Sequence, residues 1–169
     1  FDLYLRLLSE AIEKLKNNNY VEPIDTTIEL EYSGFIPDTY IKLPETKMEI
    51  YKKIAGVRSK DDLDAVVYEI NDRFGPPPQE VESLLSLSEI KIICNKLFIK
   101  SLKERGAKVR IEFNRVSEIS IDKLLSLIKS SHGRAKLDSK EPNVLILETG
   151  NIGLKEKSEF IHENLEKLL

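Results

Sequence analysis

The side chains best suited to do more than hold a fold lie around Glu69-Ile70-Asn71-Asp72-Arg73-Phe74-Gly75. Glu69 and Asp72 are three residues apart, so on a helix they are surface neighbours. Carboxylates in that relation accept from guanidinium and ammonium groups. With Asp61 and Asp62 they form an acidic ridge able to dock on the arginines of a partner. The same pattern also describes an ordinary solvated helix face. Arg73 has three partners open to it: Asp61, Glu69, or a group outside the chain.

A second charged region runs from residue 91 to 115. It holds Lys91, Lys96, Lys100, Lys103, Arg105, Lys108, Arg110 and Arg115 against Glu104 and Glu112. On a hairpin such cations could contact phosphates, although lysines on a strand edge also serve to block strand-to-strand aggregation. Phe98 and Phe113 are the only interleaved aromatics and fit better in a core, so a base-stacking platform is poorly supported.

Other chemistry lacks its residues. None of the seven glycines precedes a lysine and a hydroxyl residue, as a phosphate-binding loop requires. Gly150 and Gly153 do not complete a dinucleotide fingerprint. One cysteine and two histidines are too few for a zinc centre built on those ligands. His132 reads as a turn residue and His162 as a position on the last helix. No nucleophile motif accompanies the Ser, His and Asp residues. Cys94 lies in an apolar helical run and reads as a buried, reduced thiol. One cysteine permits no internal disulfide, which fits a cytoplasmic protein.

The elements that must position these groups follow from punctuation and periodicity. The chain has 169 residues, enough for one domain, and is 41% hydrophobic, enough for a core. A net charge of −3 argues against nucleic-acid binding driven by charge alone. No apolar run reaches membrane-spanning length, so no membrane partner is expected. Residues 2–16 read as an amphipathic helix with Leu5, Leu8, Ile12 and Leu15 on one side. Asn17-Asn18-Asn19 and Pro23 mark a break. Alternation from Thr26 to Tyr32 predicts a strand with Ile28, Leu30 and Tyr32 inward. Ile36 to Ile41 reads as a second extended piece.

Pro44 opens a helix to about Gly56 with Met48, Tyr51, Ile54 and Ala55 inside. Ser59 caps the next helix. Its stripe of Leu63, Val66, Val67, Ile70 and Phe74 faces the core. Gly75 then offers a left-handed closing residue, and proline cannot continue the helix. A long helix follows from about Pro78 to Leu97. Strands are predicted over Phe98–Leu102 and Ala107–Phe113, with a turn at Glu104-Arg105-Gly106. A helix over Ile121–Ser130, a strand that starts at Gly133 and carries Ala135 and Leu137, a strand over Val144–Leu147, and a last helix bearing Leu154, Ile161, Leu165 and Leu168 complete the chain. The order argues α+β: helices packed on small antiparallel strand pairs in a single compact domain, with an N-terminal helix entering from upstream.

Three blocks carry a resemblance. They are Gly34-Phe35-Ile36-Pro37-Asp38, Lys47 to Ile54 with its core Ile50-Tyr51-Lys52-Lys53-Ile54, and Glu69 to Gly75. In that order they resemble the C-terminal domain of the bacterial transcription-repair coupling factor family. Residues 1–16 resemble the helix that leaves that family's motor. The likeness is strongest between Ile28 and Leu97, and from Arg105 onward it rests on element order. Pro76, Pro77 and Pro78 in succession depart from the family pattern.

The resemblance implies a connecting helix and linker over 1–22 and a regulatory domain over 23–169, a piece of a longer polypeptide. It implies a non-catalytic domain with no cofactor of its own, ATP and Mg belonging to the motor upstream. Such a domain packs on a UvrB-like module of the same polypeptide, masks its UvrA-binding surface and so keeps the protein autoinhibited. RNA polymerase, UvrA and DNA are partners of the full-length protein, and the isolated piece is expected to be a monomer or weak oligomer. Carried over by residue, the interface is Glu69 and Asp72, facing arginines of the module, with Arg73 beside them. The alternative is a nucleic-acid-binding module using Lys100, Lys103, Arg105, Lys108 and Arg110.

Overall fold

A computed structural model describes residues 3, 5–8, 25–31, 33–114, 119–150 and 152–169. The elements are β1 (Thr27–Glu29), α1 (Pro44–Ala55), α2 (Lys60–Phe74), α3 (Gln79–Lys96), β2 (Ile99–Arg105) and β3 (Lys108–Phe113). They continue with α4 (Ile121–Ser130), β4 (Ala135–Leu137), β5 (Val144–Glu148) and α5 (Leu154–Glu166). The α+β class stands. The antiparallel strand pairs are joined into one five-stranded sheet of order β1-β2-β3-β5-β4. Only β1 runs parallel to its neighbour β2.

Helix ends follow the local chemistry. Pro44 occupies the first turn of α1, where a missing N–H costs nothing. The Ser59 hydroxyl accepts from the Asp62 N–H at 3.1 Å, and Ser120 does the same for α4. Gly75 ends α2 at φ 84°, ψ −174°. That conformation is essentially confined to glycine, and it takes the place of the left-handed helical residue expected there.

Two apolar clusters form, and α3 belongs to both. Val81, Leu85 and Ile92 pack with Ile36, Ile41, Ile50, Ile54, Val57, Leu63 and Ile70. Ile90, Ile93, Cys94 and Leu97 pack with the sheet and with Leu127, Ile161, Leu165 and Leu168. At about 100° per residue these two sets lie on roughly opposite sides of α3. The helix is therefore a common wall between a three-helix layer, α1–α3, and a sheet layer backed by α4 and α5.

Several expected positions differ. Residues 38–40 form a turn in place of an extended piece, with the Tyr40 and Ile41 N–H groups both donating to the Pro37 carbonyl. Met48 is 58% exposed and Ala55 is exposed. The buried side of α1 is set by Ile50 and Ile54, with Tyr51 packed beside them. Strand β2 runs through Arg105, and the turn is Gly106-Ala107. Leu5 and Leu8 are exposed, whereas Ile12, Leu15 and Tyr32 lie outside the described residues.

The longer β2 puts Glu104 inside the domain. Its side chain is fully buried and 2.5 Å from Lys157 Nζ, itself 10% exposed. Glu104 Oε2 also accepts from the Glu31 N–H at 2.8 Å. This pair ties β2 to α5 and to the chain after β1. Removing one partner of a buried pair leaves an uncompensated charge. Lys157→Met is therefore expected to lower unfolding stability by about 3–5 kcal/mol, and Glu104→Leu/Lys157→Met to recover part of the loss in urea titrations.

Gly34 fixes a close approach between the layers. A Cβ there would sit 2.2 Å from the Leu84 nitrogen of α3, while the neighbouring Phe35 N–H donates to the Glu80 carbonyl at 3.2 Å. Because the obstacle is backbone, Gly34→Ala is expected to destabilise the domain by about 1–3 kcal/mol, read as a lower urea midpoint at unchanged slope.

Candidate interaction surface

The short hairpin of α1 and α2 holds the acidic ridge rigidly. Tyr51 Oη accepts from the Ile36 N–H at 2.7 Å. Tyr40 Oη donates to the Gly75 carbonyl at 2.7 Å. The Tyr40 and Phe74 rings lie 5.8 Å apart, and the Arg73 guanidinium covers Phe74 at 4.9 Å. Helix α1 is thereby pinned to Ile36 and the end of α2 to Tyr40 in the following turn.

The ridge is divided by the packing. Asp62 is used locally: its carboxylate accepts from the Arg58 N–H at 3.0 Å. Glu69 faces α1, where Lys53 Nζ donates to both its oxygens at 2.8 Å. Arg73 Nη1 lies 2.9 Å from Glu69 and 3.0 Å from Glu49. Lys53 is 3.3 Å from Glu49. Two carboxylates and two cations thus form one network across the two helices. Asp72 points outward and is exposed. Among the described residues, neither Asp72 nor Asp61 enters an ion pair or hydrogen bond. Arg73 therefore pairs with Glu69 and not Asp61. Glu49 was invisible as a site residue in sequence, although its four-residue spacing from Lys53 is an ion-pair signal.

These contacts move the proton affinities. Lys53, then Arg73, hydrogen-bonds Glu69 and holds its carboxyl below its ordinary value of 4.5. Arg73, then Lys53, does the same for Glu49. Glu49 and Glu69 in turn raise Arg73.

The basic residues of β2 and β3 gather on the sheet face turned away from the core, but not alone, whereas Lys91 and Lys96 lie on α3. Arg110 is held at 2.7 Å by both Asp138 and Glu141, and Asp138 is the first cause of its raised pKa. Lys100 meets Glu112 at 3.7 Å, Arg105 meets Glu29 at 3.7 Å, and Lys108 meets Glu148 at 3.8 Å. Lys103 stands in register between Glu29 and Arg110. Arg115 lies outside the described residues. The face is a mixed-charge ladder.

The remaining candidates are structural in position. Cys94 is fully buried, and burial pushes its thiol up to about 12. His132 is an exposed turn residue at φ 52°. His162 Nε2 sits 3.0 Å from Glu89 between α3 and α5. Among the described residues no three His, Cys, Asp or Glu gather as a metal site.

Residues 30–124 match the family model described as the TRCF domain, more than half of the chain. This chain belongs to the TRCF-domain family. A transcription-repair-coupling factor from Borreliella burgdorferi is 32% identical over 167 residues, 99% of this chain. One from Bacillus subtilis is 32% identical over 123 residues, 72% of this chain. The chain spans only 15% and 10% of these relatives' lengths. A crystal structure of the C-terminal domain of transcription-repair coupling factor superposes with a TM-score of 0.77. It is 24% identical, with 86% of this chain and 92% of that one covered, a likeness of fold. The TRCF family match spans all three blocks of the resemblance, and it reaches past β3 into α4. No helix among the described residues of this TRCF domain is long and apolar enough to cross a membrane.

The lowered carboxyls give a pH signature. A carboxyl lowered in the folded state stabilises fully above its unfolded value, and that contribution is lost as pH falls through the lowered value. The Glu49–Glu69 contribution is therefore present at neutral pH and disappears below 4.5. Carbon-detected NMR is expected to give Glu69 a midpoint below 4.5. Lys53→Gln is expected to move that midpoint upward; an unchanged midpoint would show that the network is not formed in solution.

Proposed function

We propose that this TRCF domain is a regulatory interaction domain that performs no chemistry of its own and holds no cofactor. It packs on a UvrB-like module of the same polypeptide, masks the module's UvrA-binding surface and keeps the coupling factor autoinhibited until polymerase engagement releases it. ATP and Mg serve the motor upstream, and RNA polymerase, UvrA and DNA are partners of the full-length protein. The contact is made by Glu69 and Asp72, with Arg73 beside them, against arginines of the module.

The observation that carries this reading is the rigid α1–α2 hairpin, which presents an outward Asp72 next to an ionised Glu69. Exposed ion pairs contribute only about 0–1 kcal/mol each. A tether raises the effective concentration of the partner, so a few such pairs suffice for a closed state that still opens. Nucleic-acid contact through Lys100, Lys103, Arg105, Lys108 and Arg110 has weaker support, because Lys100, Arg105, Lys108 and Arg110 each already pair with a carboxylate of the domain.

Calorimetry of this chain with the separately produced UvrB-like module tests the proposal. Glu69→Lys/Asp72→Lys is expected to weaken association at least about tenfold, since reversing two charges replaces attraction with repulsion. Equal binding by the double variant would move the contact away from α2.

A further inference from the structure

We infer that Tyr68 is the anchor of a docking face on the outward side of α2, and that its ring stacks on a guanidinium of an arginine-bearing protein surface. The inference rests on the reading above that α2 meets arginines of a UvrB-like module. It adds an aromatic residue to the carboxylates of that contact, and with it a cause of specificity.

Three observations carry it. First, Tyr68 is 75% exposed, the most exposed of the large apolar side chains among the described residues. It makes no hydrogen bond or ring contact among those residues. Single exposed apolar residues are common, but the surroundings set this one apart. Second, carboxylates surround it. At about 100° per residue, Asp61, Asp64, Ala65 and Asp72 lie within about 60° of Tyr68 around the helix. Asp64 meets Lys60 at 3.3 Å, whereas Asp61 and Asp72 have no partner among the described residues. Third, Ala65 also lines an open groove of about 360 Å³ between α1 and α2. Gly56, Val57 and Val66 give that groove its apolar lining, and Lys52, Lys53 and Asp62 its polar one. The ring thus stands beside a concave, partly apolar surface.

An apolar centre with a polar rim is the anatomy of a protein docking face. Binding energy in such faces concentrates in a few central residues, among which tyrosine is enriched. Tyrosine has only two side-chain torsions, so ordering it on contact costs little entropy. The carboxylates decide the sign of the partner, because complementary potentials call for cations. The ring decides which cation. An aromatic face attracts a positive charge. Arginine's planar, weakly hydrated guanidinium stacks on such a face, whereas a lysine ammonium holds its water more strongly. Asp64 and Asp72 each lie four residues from Tyr68, one turn to either side, so an arginine over the ring has a carboxylate within reach.

Calorimetry with the separately produced UvrB-like module tests the anchor. Tyr68→Ala is expected to weaken association about tenfold and to leave the urea midpoint of the domain in place, because the ring lies outside the core. Tyr68→Phe keeps the ring face and is expected to bind as the wild type does. Tyr68→Leu keeps apolar bulk without a π face and is expected to lose nearly as much as Tyr68→Ala. Ile121→Ala, on α4 at a 71% exposed position, is expected to change nothing. A second readout is optical. The chain contains no tryptophan, so Tyr68→Trp supplies a single indole reporter. Its emission is expected to move to shorter wavelength at saturating module, after subtraction of the wild-type mixture. If the wild type binds and Tyr68→Ala binds equally well, or the indole emission stays in place at saturation, the anchor is overturned while the docking reading stands. If Tyr68→Leu binds as the wild type does, stacking on a guanidinium is overturned. If the wild-type chain does not bind the module, the docking reading fails and the anchor fails with it.

Discussion

The structure depends on one helix with two apolar sides. Val81, Leu85 and Ile92 face one cluster, and Ile90, Ile93, Cys94 and Leu97 face the other. A helix apolar all round must be covered all round. Here the helical layer covers one side of α3 and the sheet, with α4 and α5, covers the other. Close packing makes such an interior stiff, so the α1–α2 hairpin is held in a fixed relation to the sheet. Gly34 and the Glu80 carbonyl tighten the same wall from outside. The proposed docking role needs this stiffness, because a mobile hairpin would have to be ordered at each encounter.

The blocks that carry the family resemblance turn out to be mostly builders of that hairpin. Ile36 is buried, Pro37 accepts the turn's hydrogen bonds, and Tyr51 receives the Ile36 N–H. Phe74 packs on Tyr40, and Gly75 ends α2 in a conformation other residues avoid. Within the same blocks Glu49, Lys53, Glu69, Asp72 and Arg73 combine charge with access to the outer edge. The motif is thus chiefly a record of packing, and its interaction chemistry is a small remainder read from where the charges point.

Electrostatics on the two surfaces follow one rule. Cations and carboxylates are paired within the domain on the sheet face and at the α1–α2 edge alike. Exposed pairs of this kind contribute little to folding. Their larger effect is to set what an approaching molecule meets. The sheet face sets Lys103 opposite Arg110 and Arg105 opposite Lys108, and flanks these cations with carboxylates. The α1–α2 edge presents a carboxylate pair bridged by Lys53 and Arg73, next to an outward Asp72.

Sequence by itself determined the local structure and much of the core. Ser59 as a cap, Pro44 in a first turn, the stripe from Leu63 to Phe74, burial of Cys94 and the boundaries of α4 are all local consequences of residue type and period. The ordered blocks also pointed to the family. What sequence left undecided was every question of partner choice across elements. Glu104 read as a turn residue until β2 extended past it and brought it to Lys157, far along the chain. Met48 read as core because its spacing fits a helical stripe, yet Ile50 and Ile54 reach the layer below. Glu69 read as an open carboxylate until α1 laid Lys53 and Glu49 beside α2. Ion pairing depends on distances between side chains on different elements, and those distances exist only once α3 has fixed the layers against each other.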